Sequence, residues 1–144
     1  MGILCKPWIL VLVLLMLLAA DGALGQELAV ATASLQKIDV LLNQGDNRQA
    51  LQLLQELPED GQHLDQKFWR MARLHYEMGR VAASAQDAMR FYQNAEKFAR
   101  SAIAKNPDSG EGYKWLAIAL GAQAKERGHH RLGDLETRRR HRPN

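Results

Sequence analysis

The sequence predicts an all-α fold of about five helices, paired antiparallel, behind a separate apolar N-terminal segment. Three observations predict it. After residue 26, apolar residues recur at steps of three and four along almost the whole chain, the spacing that lines one face of a helix. Leu, Ala, Gln, Glu, Lys and Arg are abundant while only 4 of 144 residues are proline, a composition that favours helix. No segment after the leader alternates polar and apolar residues as a half-buried strand would. The connections between periodic segments are short, so consecutive helices should lie antiparallel.

The leader comes first. Residues 1–25 carry one lysine in MGILCKP, then the apolar run WILVLVLLMLLAA, then DGALGQ with Ala23 and Gly25 at the −3 and −1 positions of a cut before Gln26. A charged start, an apolar middle and a small-residue cleavage site make up a secretory signal. The run stops at Asp21, short of the roughly 20 apolar residues that span a bilayer. The expected location is therefore the secretory pathway, with the product secreted or held in a lumen or periplasm; an uncleaved leader would make it a membrane anchor. Cys5, the single cysteine, lies inside the leader, so the processed chain has no disulfide and no cysteine metal site.

The first helix is expected from about Glu27 to Leu42, with Leu28, Ala31, Leu35, Ile38 and Leu42 on one face and Gly45 as its stop. The second should run from about Asn47 to Leu57. Asp46 and Gln49 stand at capping-box spacing, and Pro58 ends the helix because it lacks the N–H that another turn needs. The third is expected from Leu64 to Met78, with one stripe of Leu64, Phe68, Met71, His75 and Met78 and a neighbouring one of Trp69, Ala72 and Tyr76. The fourth should span Ala82 to Lys105. Its seam of Ala85, Ala88, Tyr92, Ala95, Ala99 and Ala102 is narrow, so a neighbouring helix can approach closely. The fifth begins near DSGE, where Asp108 and Glu111 have capping-box spacing. It carries Tyr113, Leu116, Ala117, Leu120 and Ala124 on one face, flanked by Trp115 and Ile118. That is more apolar surface than one small antiparallel neighbour can cover. The helical domain is expected over residues 26–126, and residues 127–144 as a basic, disordered tail.

Charge is unevenly placed. The chain carries +3, but residues 127–144 hold six arginines against Asp134 and Glu136, a net of +4, which leaves −1 for the rest. The RRRHR run has no interleaved aromatic residue, so a solvated tail is favoured over nucleic-acid binding. His75 sits on an apolar stripe, and His129 and His130 are adjacent and diverge on a helix, so no metal site is expected. The sequence contains no HExxH, no GxSxG, no phosphate-cradling glycine loop with Lys-Ser/Thr, and no GxGxxG after a strand. Glu56, Glu59 and Asp60 cluster at a helix end and turn, where solvation accounts for them. A non-enzymatic protein without cofactor is expected.

Several segments resemble tetratricopeptide repeats, helix pairs of about 34 residues with small residues at the crossings. NQGDNRQALQLL resembles a turn and second helix through Gly45, Asp46 and Ala50, and FWRMARLHYEMG a first helix through Trp69 and Tyr76. NAEKFARSAIAKNPDS resembles a second helix through Ala95, Ala99, Ala102 and Pro107, and GYKWLAIALG the next first helix. The lengthened fourth helix narrows the resemblance. From Leu64 to Ala124, and most specifically in W-R-x-A-R and Y-K-W-x-A-I, the chain resembles the regulator of microtubule dynamics family. The resemblance implies a right-handed tetratricopeptide-like (TPR-like) solenoid fragment, possession of protein partners, and association with microtubules or the spindle, hence a cytoplasmic site as in that family. The face of the fifth helix expects a cover, which a truncated chain would lack and a partner molecule would supply.

A protein-interaction scaffold is the function these features favour, with its partner in the concave groove of the helix pairs. The expected lining is Arg70, Arg73, Glu77, Lys114 and Trp115. Arg70 and Arg73 are three apart and could hold a carboxylate bidentately, or pair with Glu77 or Asp65 on adjacent turns. The alternative is a secreted or membrane-tethered helical protein that binds lipid or peptide ligands in the same groove.

Overall fold

The computed structural model describes residues 32–59, 61 and 63–140, so the leader of residues 1–25 and the start of the first helix lie outside the described residues. The chain divides into two compact units, Met1–Gln36 and Lys37–Asn144. Of the first, the described residues 32–36 are helical. All regular structure among the described residues is helical: α1 over residues 32–44, α2 Asn47–Glu56, α3 Leu64–Arg80, α4 Ala85–Lys105 and α5 Gly110–Arg140.

Local chemistry sets the helix ends. Gly45 takes φ +78°, and the N–H groups of Gly45 and Asp46 close on the carbonyls of Leu42 and Leu41 at 3.3 and 3.0 Å. This terminating turn needs a residue without a Cβ. Asp46 then caps α2, accepting from the Gln49 N–H at 3.1 Å while the Gln49 amide reaches back at 2.6 Å. Ser84 caps α4 by accepting from the Asp87 N–H at 3.0 Å, so α4 starts three residues later than the periodicity predicts. At the start of α5 the cap is Ser109, not Asp108: its Oγ accepts from the Gly112 N–H at 3.2 Å and its carbonyl from the Tyr113 N–H. At its other end α5 continues through Arg127 to Arg140, where the sequence reading ends the helical body at residue 126.

Contacts give the helix directions within the second unit. Phe68 meets Phe98, His75 meets Phe91, and Gly79 meets Tyr92, so α3 and α4 run antiparallel. Gly112 faces Ile103 while Gln123 reaches Tyr92, so α4 and α5 are antiparallel too. Asp39 pairs with Arg70 and Asn43 with Arg73, which places the end of α1 parallel to α3.

α3 is the central element, packed against α2, α4 and α5. On one side Leu74, with Met71 and Met78, joins Ile38, Leu41, Leu42, Ala50 and Leu54. On another, Ala72, with Trp69 and Tyr76, joins Ala99 and Trp115. With neighbours on several sides, the buried part of α3 is wider than two stripes, which is why Leu74, fully buried, stands outside both expected ones. The α4 seam is buried at Ala88, Tyr92, Ala95, Ala99 and Ala102; Ala85, in the first turn, is exposed.

Candidate functional site

α3 and α5 carry the five residues expected to line a groove, and the structure divides them. Arg70 is buried, and its guanidinium is fully engaged. Nε and Nη2 donate to the two oxygens of Asp39 at 2.8 and 2.6 Å, Nη1 donates to the Gln66 carbonyl at 3.2 Å, and the plane lies 4.0 Å from the centre of the Trp69 ring. The bidentate carboxylate grip expected of Arg70 is therefore made, but to a residue of its own chain. Neither Glu77 nor Asp65 serves as its partner: Glu77 holds Arg80 at 2.8 Å, and Asp65 accepts from Asn106 at 3.2 Å.

Arg73, Lys114 and Trp115 come together. Trp115 is buried and donates its indole N–H to Glu111 at 3.0 Å, while Lys114 donates to both oxygens of Glu111 at 3.0 Å. The Arg73 guanidinium lies 5.9 Å and the Lys114 ammonium 5.4 Å from the Trp115 ring centre, so two cations flank one aromatic surface. Arg73 also donates to Asn43 at 2.7 Å, which links α1, α3 and α5 along one polar face. Glu111 joins this set, although the sequence reading assigns it only to helix capping. Its spacing of three to Lys114 and four to Trp115 is the signal that could have found it.

A cleft of about 550 Å³ lies at the far end of the same helices. Tyr76 and Tyr92 stand in it among Gly79, Ala85, Ala88, Ile118, Gly121 and Ala122, with Arg80, Lys125 and Glu126 also on its lining. Burial, with the charge of Glu126, raises the Tyr92 phenol above its ordinary value of 10.0. Beneath, buried Gln123 donates to Glu96 at 2.8 Å and to the Tyr92 carbonyl at 3.3 Å, and accepts from Arg127 at 3.0 Å. The hydrogen bonds from Gln123 and then Arg100 lower the Glu96 carboxyl below its ordinary 4.5. Nothing in the periodic pattern marks Gln123, because a polar residue among alanines reads as a surface position.

His75 is stacked on Phe98 at 5.1 Å and faces Phe91 at 6.1 Å, with its Nδ1 buried and unpartnered. Burial lowers its pKa below the ordinary 6.5. It packs between α3 and α4. Among the described residues no three His, Cys, Asp or Glu side chains come together as metal ligands, and no helix is long and apolar enough to cross a membrane.

Among the described residues, fold and site thus define an all-helical body with an open polar face shared by α1, α3 and α5. The chain belongs to the regulator of microtubule dynamics family: the family described as Regulator of microtubule dynamics protein 1-3 matches residues 34–141. The match extends beyond the Leu64–Ala124 segment that carries the resemblance in the sequence. A curated relative, Regulator of microtubule dynamics protein 1 of Bos taurus, is 27% identical over 88 residues, which cover 60% of this chain and 27% of the bovine protein. The matched part is thus about a quarter of the length of that relative. No solved structure matches the chain significantly.

Proposed function

We propose that this chain is a non-enzymatic, TPR-like scaffold that binds a protein partner across the polar face of α1, α3 and α5, with the microtubule surface as the specific partner. The observation that carries the proposal is the pair of cations, Arg73 and Lys114, held over Trp115 on a face where three helices lie side by side. α1, α3 and α5 occupy the places of first helices and α2 and α4 those of second helices, the alternation of a helical-pair solenoid, in which first helices line the concave side. Arg73 and Lys114 are the residues of that face with the reach to meet acidic groups of a partner, and Trp115 gives them a fixed floor. Arg70 holds the face together from beneath. Family membership and the name of the bovine relative support the microtubule form of this reading.

The test is co-sedimentation of the purified protein with polymerised tubulin. The wild type should pellet with polymer, and Arg73→Glu combined with Lys114→Glu should leave it in the supernatant while keeping the helical circular dichroism spectrum. A wild type that stays in the supernatant rules out the microtubule as partner. Undiminished pelleting of the double variant rules out this face.

A further inference from the structure

α5 turns one face inward and leaves another bare. Gly112, Trp115, Ala119 and Gln123 are buried against α3 and α4. A second line of residues, Tyr113, Ala117, Leu120 and Ala124, is exposed at every position, with Tyr113 at 53% and Leu120 at 39%. Its steps of four, three and four keep it on one narrow stripe for almost the entire length over which α5 lies on α4, and Arg127 and Arg131, both exposed, prolong it. This is the spacing of a helix that pairs with another helix.

We propose that this stripe is the contact by which two copies of the chain associate, α5 against α5, antiparallel. The order of side-chain sizes carries the choice of occupant and direction. Along the stripe large and small alternate: Tyr, Ala, Leu, Ala. Reversed against itself, the pattern sets Tyr113 over Ala124 of the second copy and Leu120 over Ala117 of the second copy, and the same two layers recur by symmetry. Each large side chain meets a small one, the arrangement that fills space without overlap. A parallel pair would set Tyr on Tyr and Ala on Ala, alternating clashes with voids. Charge agrees with the reversed pairing. In this register Arg127 and Arg131 of one copy come level with the start of α5 in the second copy, where Asp108 lies within a turn of Arg131. Each basic far end then lies beside an acidic helix start, the end at which carboxylates also suit the helix dipole. A parallel pair would set Arg127 on Arg127. The contact is self-complementary, as a two-fold interface must be.

Sedimentation equilibrium of the purified chain up to about 300 µM tests the association, since a single helix–helix contact supports only modest affinity. The wild type should approach twice the monomer mass, and Leu120→Glu should weaken association at least about tenfold with an unchanged circular dichroism spectrum. Ala124→Arg, at an exposed position that accepts a good helix former, should do the same and serves if Leu120→Glu does not fold. All variants keep the same N-terminal segment, so a loss traced to these residues belongs to this face. Direction is read by disulfide trapping in a Cys5→Ser background. A mixture of Tyr113→Cys and Ala124→Cys chains should cross-link to each other faster than either does to itself. A monomer throughout the concentration range overturns the proposal, as does a dimer that both stripe variants leave intact. Faster self-linking of Tyr113→Cys overturns the antiparallel arrangement.

Discussion

The guanidinium of Arg70 lies across both carboxylate oxygens of Asp39, 31 positions away, and fastens the end of α1 to the middle of α3. Its side chain is almost wholly buried while that of Asp39 is about one-third exposed, so the pair is desolvated on one side only. Removing the acid strands a buried cation. Asp39→Ala should lower unfolding free energy by about 2–3 kcal/mol. Arg70→Lys should recover little, because an ammonium cannot make the parallel pair of bonds. Urea denaturation of the three proteins measures both effects.

Gly79 is set against the Tyr92 ring so closely that a Cβ there would lie 2.5 Å from Cε1 and 2.8 Å from Cδ1. Alanine in the interior of a helix normally gains about 1 kcal/mol over glycine. Here overpacking of about 1–3 kcal/mol should outweigh that gain, since Tyr92 is itself buried and its ring also packs on Tyr76. Gly79→Ala should therefore lower the melting temperature. In a Tyr92→Leu background the same change should be close to neutral or stabilising, and thermal melts of the four proteins close the cycle.

His75 should make stability depend on pH between neutrality and mild acid. Its folded pKa is below 6.5, so in that window the unfolded chain binds more protons than the folded one, and stability rises with pH. The contribution is complete above pH 6.5 and is lost as pH falls towards the folded value. A His75→Phe variant, which keeps the stack with Phe98 and Phe91, should show a flatter profile over this range in chemical denaturation at stepped pH.

The Glu96 carboxylate is lowered for a different reason, the donor supplied by Gln123, so its effect falls at lower pH. Stability should drop as pH falls below 4.5 through the folded value, and Gln123→Leu should diminish that drop. At neutral pH the same variant should cost about 1–2 kcal/mol, because Glu96 loses its partner on α5 and the Tyr92 carbonyl loses a donor. Acid titration of the melting temperature separates the two effects.

Much of the helical plan is visible in the residue pattern because stop and start signals act locally. Gly45, the Asp46–Gln49 pair and the alanine seam of α4 need no knowledge of the rest of the chain. Ser84 as the cap of α4 was equally local, but the apolar Ala82 and Ala83 before it read as helix. What pattern could not reveal were choices made by distant partners. Arg70 and Arg73 look alike three residues apart, yet one faces Asp39 beneath the surface and the other lies over Trp115 in the open. Gln123 is a buried bridge only because Glu96 and the Tyr92 carbonyl stand opposite it. In α5 the sequence pattern draws Tyr113, Leu120 and Ala124 together with Trp115 into one broad apolar surface; packing divides that surface between an inner face and an outer one.

The enclosure of α3 has a kinetic consequence. Amide hydrogens near Ala72 and Leu74 can meet solvent only when neighbouring helices on several sides have separated, so their deuterium uptake should proceed through whole-molecule opening. The last turns of α5 extend past the level at which Ser84 begins α4, and their amides should exchange by fraying, orders of magnitude sooner, while the interior protons are still retained.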